Sequence, residues 1–462
     1  MRKLADRIRR NRADLLVASL RLFTYAGLFF ILFGLLSIHN WQLRNISRTL
    51  ATTILTWAAM TVTMTHIYGG YDVGRKKSNP IISSMALANL CTDAVTFLQL
   101  QIMNVNPNNN AHLILWGPDF WLLLAAFIAQ TFYLAFMVRL GNRLYFRYHQ
   151  PRACLLIMGQ YSSPDEITEK IGHYRLQWHV YEIASWDDPA LPEKIKAADV
   201  VFFADVPPEG RMQLLQMCYD LHHDVLCKAQ LQEIMLSAAD PLVVDDALFM
   251  EMDYHKMSPG QRIIKRLADF VLSGIALLLF SPLMLLIALA IRLDDGGPAF
   301  FLQDRMTAGG QCFRICKFRT MSVGAAEQSE TENDQRVTRV GRLLRASRLD
   351  ELPQLWNILK GDMSLVGPRP EMLSNVEFYK SSLPTFIYRE KVKAGLTGYA
   401  QIEGRYNTSP EDKLMLDLMY IENFSIWNDV RLLFRTLTVF FKRDSTAPFS
   451  SGSAPGGDPA SH

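Results

Sequence analysis

Four long apolar segments in the first third of the chain restrict its fold more than any other feature. They cover residues at about 14–38, 51–68, 81–104 and 114–138. Each approaches the length of about 20 residues that a helix needs to cross the hydrocarbon core of a membrane. A single N-terminal apolar segment could be a signal peptide, but a succession of four is not. The sequence therefore predicts a four-helix transmembrane bundle over residues 1–145.

The distribution of basic residues predicts how these segments are oriented. Lysine and arginine cluster before the first segment, between the second and third, and after the fourth: Arg2, Lys3, Arg7, Arg9, Arg10, Arg12, Arg75, Lys76, Lys77, Arg139, Arg143, Arg147 and Arg152. The loop at 104–112 has neither residue, and the first loop has only Arg44 and Arg48. Because positively charged loops stay in the cytosol, the N-terminus and everything beyond residue 140 are expected inside.

The overall charge is nearly balanced, which restricts the classes of partner. There are 48 Lys and Arg residues against 45 Asp and Glu residues, for a formal net charge of +3. So small an excess argues against a dedicated nucleic-acid-binding protein. Six cysteines in 462 residues do not form a disulfide framework.

Residues 151–250 have the pattern of a small cytosolic α/β domain. Apolar runs at 154–158, 200–205 and 224–227 alternate with polar helical stretches, which is typical of βαβ units around a parallel sheet. The first run ends at Gly159, without the three glycines of a dinucleotide-binding turn. We interpret this Rossmann-like domain as structural or regulatory, with nucleotide binding as the alternative. With the bundle, it is also a candidate surface for a homodimer.

A fifth apolar segment, residues 267–291, is long enough to span a membrane but is interrupted at Ser281-Pro282. Proline lacks the backbone N–H and clashes with the preceding turn, so a bend is expected, and Ser281 can bond a freed carbonyl. Basic residues flank both ends: Arg262, Lys265, Arg266, Arg292 and Arg305. From this segment alone, re-entry on the same side and a full crossing are equal alternatives.

Asp350-Glu351 is the strongest candidate for chemistry. Pro353 favours the first turn of a helix, which is expected to run through Leu355 to Gly361. Both acids then lie at the positive end of that helix, which favours their ionised forms. Oxygen ligands beside a phosphate substrate suit Mg²⁺, and a carboxylate can attack phosphorus as a nucleophile. The alternative for an isolated acid pair is helix capping by one carboxylate and solvation of the other.

Basic residues elsewhere in this region favour a phosphate substrate. Lys317 and Arg319, two residues apart on a predicted strand, are expected on one face. Arg369 lies between two prolines, which hold its backbone extended. Guanidinium groups bind phosphate with two N–H groups, and lysine does so as a point charge. Together with the acid pair, these cations predict a diphosphate substrate bound with metal.

The segment from Gln261 to Asp444 resembles the bacterial sugar transferases known as polyprenyl-phosphate monotopic phosphoglycosyl transferases. The similarity rests on a series of motifs: Ser281-Pro282, Lys317-Phe318-Arg319, Asn333 to Arg336, Leu349 to Leu355, Gly367 to Pro370 and Lys393 to Gly395. The segments in front resemble the large-topology members, such as undecaprenyl-phosphate glucose or galactose phosphotransferases. The implied fold class is a mixed membrane protein: a four-helix transmembrane bundle, a Rossmann-like domain (151–250) and an α/β-associated catalytic domain (258–444) with a re-entrant helix at about 264–292.

The resemblance assigns roles to residues of this chain. It implies that Asp350 is the nucleophile that forms an aspartyl phosphosugar, and that Glu351 is its partner carboxylate and a Mg²⁺ ligand. It favours re-entry at Ser281-Pro282. It implies that the residues near the donor diphosphate are Lys317, Arg319, Asp334, Arg336 and Arg369. Two departures, Gln335 and Ala394 where the family has proline, affect loop rigidity rather than chemistry.

The implied activity is transfer of a hexose-1-phosphate from a UDP-sugar to polyprenyl (undecaprenyl) phosphate, with release of UMP. The reaction would occur at the cytosolic face of the bacterial cytoplasmic membrane, require Mg²⁺, and initiate exopolysaccharide, capsule or O-antigen synthesis. Three alternatives stay open. The lipid phosphate could attack directly while the carboxylates hold metal; the chain could be an inactive scaffold of a polysaccharide-assembly complex; or it could be a transporter, which Asp93 in the third apolar segment alone favours.

The end of the chain carries no further site. Residues 427–443 combine apolar and basic side chains, as in a helix that lies in the membrane interface, with packing on the protein core as the alternative. Residues 445–462 are rich in Ser, Gly, Pro and Ala and are predicted to be disordered.

Overall fold

The computed structural model describes residues 2–105, 112–159, 163–252, 257–322, 336–404 and 408–439, with side chains from residue 15 onward. The chain divides into two compact units, Met1–Lys228 and Ala229–His462. Asp334 and the predicted disordered tail lie outside the described residues.

Four long helices open the first unit: α1 (Arg2–Leu36), α2 (Arg48–Tyr68), α3 (Ser78–Asn104) and α4 (Pro118–Tyr148). Each contains a stretch long and apolar enough to cross a membrane, as expected for a membrane protein. α1 packs against α4, and α3 packs against both α2 and α4. Leu28, Leu32, Leu100 and Leu134 are buried between them.

Asp93 is buried within this helical region, and its partner Asn89 lies one turn earlier on α3. Asn89 donates from Nδ2 to Asp93 Oδ2 over 2.9 Å and to Gln130 Oε1 on α4, also over 2.9 Å. Thr92, adjacent in sequence, instead donates to the backbone of Ala88. The helical period places Asn89, one turn earlier, on the same face as Asp93.

A parallel sheet follows in the same unit. Its strands β1 (Arg152–Met158), β2 (Trp178–Ser185), β3 (Val200–Ala204) and β4 (Asp224–Cys227) run in the order β2-β1-β3-β4. Helices α5 (Pro164–Gly172), α6 (Leu191–Ala197) and α7 (Pro208–Asp220) connect them. This is the predicted βαβ arrangement. A Cβ atom at Gly159 would lie 1.9 Å from the carbonyl oxygen of Asp205, so close packing between strand ends requires that glycine.

The sheet ends at Cys227, and the next elements belong to the second unit. They are α8 (Leu231–Ser237) and an antiparallel hairpin of β5 (Asp240–Val244) and β6 (Ala247–Glu251). Ile234 on α8 packs into the core of that second unit. The predicted domain of residues 151–250 therefore includes the sheet and three elements that the structure groups with the chain beyond it.

Helix α9 (Pro259–Asp295) is helical throughout its 37 residues and contains Pro282. The Ser281 hydroxyl donates to the carbonyl oxygen of Leu278 over 2.8 Å. That oxygen is the acceptor that a residue with an N–H at position 282 would have used, because helical bonds join each residue to the fourth one before it. Ser281 thus satisfies the carbonyl that Pro282 leaves free.

The rest of the second unit is built from short elements around one core. An antiparallel pair, β7 (Phe300–Met306) and β8 (Cys312–Phe318), precedes α10 (Arg339–Ser347) and α11 (Gln354–Lys360). β9 (Ser364–Val366) pairs in parallel with β10 (Gly395–Thr397). The remaining helices are α12 (Leu373–Ser382), α13 (Tyr399–Glu403), α14 (Pro410–Glu422) and α15 (Ile426–Val439). Leu432 and Val439 of α15 are buried in the core, so one face of this helix packs on protein.

Candidate active site

The two acids predicted as catalytic lie in a tight turn between two helices. Leu349–Glu351 forms one turn of 3-10 helix between α10 and α11. Arg348 precedes it in the left-handed region, with φ of 54°. Pro353 directly precedes α11, as predicted from the preference of proline for the first turn of a helix. The turn places both acids just before the N-terminus of α11.

Glu351 is held by two cations from distant parts of the second unit. Arg369 Nη2 donates to Glu351 Oε1 over 2.8 Å, and Lys317 Nζ lies 3.8 Å from the same oxygen. Lys317 is on β8, and Arg369 is in the loop that follows β9. The side chains of Glu351 and Lys317 are 16% and 19% exposed. The side chain of Arg369 is 41% exposed. The structure therefore brings together three of the predicted site residues, and Arg369 is the most exposed of them.

The two neighbouring carboxyl groups have opposite pKa shifts. Burial, followed by the negative charge of Glu351, raises the pKa of Asp350 to about 6, although Lys317 and Arg369 oppose the shift. Burial also acts to raise the pKa of Glu351, but Arg369 and Lys317 outweigh it and hold that pKa at about 2. Such a divergence is typical of neighbouring acids that have different chemical roles. Glu351 stays ionised at every physiological pH, while Asp350 is ionised with less stabilisation, which suits a nucleophile.

The backbone of Arg369 is fixed by a second arginine. Arg389 donates from Nη2 to the carbonyl oxygen of Arg369 over 2.8 Å. The same group is 2.7 Å from Asp417 Oδ2, and the side chain of Asp417 is 1% exposed. Glu371 also faces Arg389, with 3.7 Å between Oε1 and Nη1. A buried ion pair therefore supports the loop that carries Arg369 to Glu351.

Arg319 has a different environment from Lys317. Strand β8 ends at Phe318, so the alternation that predicts a shared face for Lys317 and Arg319 stops before Arg319. Its guanidinium group binds both carboxylate oxygens of Asp295 at the end of α9, and Nε donates to the carbonyl oxygen of Pro298 over 2.6 Å. The structure thus places Arg319 where it joins α9 to β8, rather than in contact with the acid pair.

Of the two predicted residues near 335, the structure describes Arg336. Its carbonyl oxygen accepts a hydrogen bond from the backbone N–H of Ser322 over 2.8 Å. Val337 forms an isolated bridge with Met321. These contacts hold residues 336–337 beside the chain that leaves β8, the strand that carries Lys317. The binding roles of Arg336 and Asp334 stay predictions.

Comparison with known proteins identifies the family. The sequence model described as "Bacterial sugar transferase" matches residues 260–443. The UDP-N-acetylgalactosamine-undecaprenyl-phosphate N-acetylgalactosaminephosphotransferase of Aeromonas hydrophila is 36% identical over 298 residues, which are 63% of this chain and 67% of that protein. The chain belongs to the bacterial sugar transferase family.

Two further relatives match this family member over shorter segments. The UDP-glucose:undecaprenyl-phosphate glucose-1-phosphate transferase of Caulobacter vibrioides is 42% identical over 189 residues, 39% of this chain and 71% of that protein. The protein of the same description from Escherichia coli K12 is 43% identical over 192 residues, 40% of this chain and 41% of that protein. The resemblance inferred from the motifs is confirmed.

The acid pair fits a Mg²⁺ ion that is shared with a substrate. Among the described residues, the structure contains no group of three or more His, Cys, Asp or Glu side chains arranged to hold a metal. Mg²⁺ usually takes one or two carboxylates together with substrate phosphates and water rather than a cage of protein ligands. Both cation contacts of Glu351 use Oε1. Glu351 is the residue that would hold the ion, beside the Asp350 carboxylate.

Sequence reasoning missed Arg389 and Asp417. Arg389 lies in a polar stretch without a recognisable motif. Asp417 did carry a signal, because it is the one acid between Leu414 and Met419 on an otherwise apolar part of α14. An acid in the middle of an apolar helical face predicts a buried partner of opposite charge. That partner comes from 28 residues earlier in the chain.

Proposed function

We propose that this family member transfers a hexose-1-phosphate from a UDP-sugar to undecaprenyl phosphate and releases UMP. The observation that carries the proposal is the Asp350-Glu351 turn, in which Glu351 is paired with Arg369 and Lys317 directly beside Asp350. The names of the relatives, which pair a UDP-sugar with undecaprenyl phosphate, support the choice of donor and acceptor. A UMP-release screen across UDP-sugars determines which sugar is transferred.

The first step is attack by Asp350 on the phosphorus that carries the sugar. A bond forms between a carboxylate oxygen and that phosphorus, and the bond from the same phosphorus to the bridging oxygen breaks. UMP leaves with the bridging oxygen and its electron pair, so an aspartyl phosphosugar stays on the protein. In the second step, an oxygen of undecaprenyl phosphate attacks the phosphorus and releases the Asp350 carboxylate. The product is undecaprenyl diphosphate sugar.

The surrounding charges neutralise the phosphates while this exchange takes place. Arg369 and Lys317 would share their positive charge between Glu351 and the donor diphosphate, since guanidinium and ammonium groups bind phosphate oxygens strongly when desolvated. A Mg²⁺ ion held by Glu351 would add Lewis-acid stabilisation of the leaving UMP. Because Arg369 is anchored through its carbonyl by Arg389, its charge is preorganised rather than recruited by the substrate.

We further propose that α9 enters and leaves the membrane from the cytosolic side. Near its start, Asp269 accepts hydrogen bonds from the Ser364 hydroxyl and from the backbone N–H of Leu365. Near its end, Ile287 and Ile291 pack against Phe318. Contacts of both ends of α9 with the same compact unit support this proposal.

Exposed apolar side chains along α9 fit contact with lipid. Leu278 and Leu285, on either side of Pro282, are 79% and 72% exposed. With α1 to α4 as spans, the protein would be a multi-pass protein of the bacterial cytoplasmic membrane whose catalytic unit faces the cytosol. A homodimer stays an expectation.

A UMP-release screen tests the proposed function. Purified full-length protein with Mg²⁺ and undecaprenyl phosphate is offered a set of UDP-hexoses and UDP-N-acetylhexosamines, and UMP and the lipid product are measured. We expect one donor class to give stoichiometric UMP and undecaprenyl diphosphate sugar, and chelation of Mg²⁺ to stop both. Failure with every donor would overturn the proposal and favour an inactive scaffold.

The pKa of Asp350 predicts the pH dependence of the first step. Burial and the charge of Glu351 raise the pKa of the Asp350 carboxyl to about 6. In more acidic solution the carboxyl is protonated and cannot attack phosphorus. We expect the rate of phosphosugar formation to be constant above pH 7 and to fall about tenfold for each unit below pH 6. The measurement is single-turnover labelling without undecaprenyl phosphate, because a phosphate monoester itself titrates near pH 6.

Replacing Glu351 with glutamine sharpens this test. The negative charge of Glu351 helps to raise the pKa of Asp350, so its removal should move the acidic limb of the profile to lower pH while the maximum rate falls. Glu377, an exposed residue on α12, gives a matched control in Glu377→Gln, whose profile should coincide with that of the unmodified protein. If the acidic limb of the pH–rate profile stays at the same pH in Glu351→Gln, a group other than Asp350 is responsible for the titration.

A further inference from the structure

The first unit contains a strongly basic cleft away from the acid pair. It has a volume of about 820 Å³ and lies between the loop that joins α2 to α3, the last turns of α4 and the turn after α5. Six cations line it: Lys76, Lys77, Arg139, Arg143, Arg147 and Arg175. Among the residues that the structure describes, no aspartate or glutamate lines it. We call this feature the basic cleft.

The cations of the basic cleft are largely uncompensated. Lys76 is paired with Asp72 over 2.8 Å, and it is the one lining cation for which the described residues show a carboxylate partner. Arg139, Arg143 and Arg147 follow one another at intervals of four residues, so they share one face of α4. Like charges at this spacing repel. A bound anion would relieve that repulsion, and the described residues that line the cleft supply none.

The walls of the basic cleft are held in place by buried contacts. The Tyr71 hydroxyl donates to the carbonyl oxygen of Met137 over 2.7 Å. Asn142 Oδ1 accepts from the backbone N–H of Gly74 over 2.9 Å, and its Nδ2 donates to the Ser78 hydroxyl over 2.8 Å. These hydrogen bonds fix the loop that contains Lys76 and Lys77 against α4. The positive charges of the loop and of α4 are therefore preorganised in the absence of ligand, which lowers the entropic cost of binding.

The position and size of the basic cleft indicate the class of ligand. Residues 120–138 of α4 contain no charged side chain, so Arg139 marks the place where the apolar part of the helix ends. Cytosolic loops of membrane proteins generally carry an excess of lysine and arginine, which explains why cations occur at this end of α4. That tendency does not explain why six of them line a single concave site. The volume lies well within the range of about 300–1,000 Å³ found for ligand pockets.

We propose that the basic cleft binds a ligand with two or more phosphate groups. Arginine matches phosphate oxygens with paired N–H groups, and six cations exceed what one phosphate requires. The same chemistry is offered by a lipid headgroup with two phosphates at the membrane surface and by a soluble diphosphate. Basic pockets between transmembrane helices on the cytosolic side bind phosphate-rich headgroups in other membrane proteins.

Binding experiments on the full-length protein separate the two sources. In one arm, inorganic pyrophosphate is titrated calorimetrically into protein in a zwitterionic detergent. In the other, the thermal unfolding temperature is compared between phosphatidylcholine bilayers with and without cardiolipin. The variant Arg143→Gln/Arg147→Gln removes two charges from the cleft. The control Arg75→Gln/Lys196→Gln removes two exposed charges that do not line it.

We expect at least one ligand to bind the unmodified protein and the control equally, and the cleft variant about tenfold or more weakly. A cardiolipin-dependent stabilisation lost in the cleft variant assigns a lipid headgroup, whereas pyrophosphate affinity lost without any cardiolipin effect assigns a soluble diphosphate. Phosphosugar labelling at Asp350 confirms that each variant is folded. If neither ligand distinguishes the cleft variant from the control, the proposal is wrong.

Discussion

Replacing Asp350 with asparagine is expected to lower hexose-1-phosphate transfer by about three orders of magnitude or more. Asparagine has nearly the same shape but lacks the carboxylate oxygen that would attack phosphorus. The pair of Glu351 with Arg369 does not involve Asp350, so the surrounding charges should stay in place. The measurements are UMP release and the mass of the intact protein after a short incubation with donor alone. A phosphosugar adduct should form on the unmodified protein and be absent from the variant.

The control for this experiment is Asp304→Asn on β7. Asp304 is an exposed acid whose partner, Arg314 at 3.7 Å, is exposed as well, so its loss should leave transfer and adduct formation unchanged. If Asp350→Asn retains most of its turnover, the covalent route is wrong. Direct attack by the lipid phosphate, with the carboxylates serving to hold metal, would then be the mechanism.

Replacing Arg389 with methionine is expected to cause the largest loss of stability. Asp417 would keep its buried position without its partner, and removal of one member of a buried ion pair costs about 3–5 kcal/mol in the free energy of unfolding. The carbonyl oxygen of Arg369 would lose a hydrogen bond at the same time, so the remaining folded protein should transfer more slowly. Thermal and denaturant unfolding of the full-length protein in detergent measure the first effect.

The pH dependence of this loss has a definite sign. Burial raises the pKa of Asp417 even in the presence of Arg389, and without that arginine the pKa should rise further. A carboxyl group whose pKa is raised on folding binds its proton more tightly in the folded protein, so stability falls as the pH rises above its unfolded pKa. The deficit of Arg389→Met should therefore be greatest at neutral pH and shrink in acid.

Two further variants distinguish loss of the ion pair from loss of packing. Arg314→Met on β8 removes an exposed arginine and should change the free energy of unfolding little. The double variant Arg389→Met/Asp417→Leu removes both charges and should recover most of the stability, because an apolar pair can replace a buried ion pair. If the double variant is as unstable as Arg389→Met, packing around the side chain is responsible instead.

Much of the candidate site could be predicted because its signals are local. Asp350 and Glu351 are adjacent, and Pro353 sets the start of α11 through its own backbone restriction. Ser281 and Pro282 are likewise neighbours, and the bond from Ser281 to Leu278 follows from helix geometry alone. Arg319 is an exception. The alternation of side chains along a strand applies only within β8, which ends at Phe318, so it does not place Arg319 on the same face as Lys317.

The amino-acid sequence by itself determined the apolar helices, the βαβ rhythm, the acid turn and the chemical type of the cations around it, because each depends on residues within a few turns of one another. The tertiary structure alone decided which cations meet Glu351, that Arg389 and Asp417 support Arg369, and that six basic side chains converge on one cleft. Those outcomes depend on contacts such as Lys317 with Glu351 or Arg389 with Asp417, whose partners are far apart along the chain. Local periodicity carries no information about such distances, whereas packing of the core sets them.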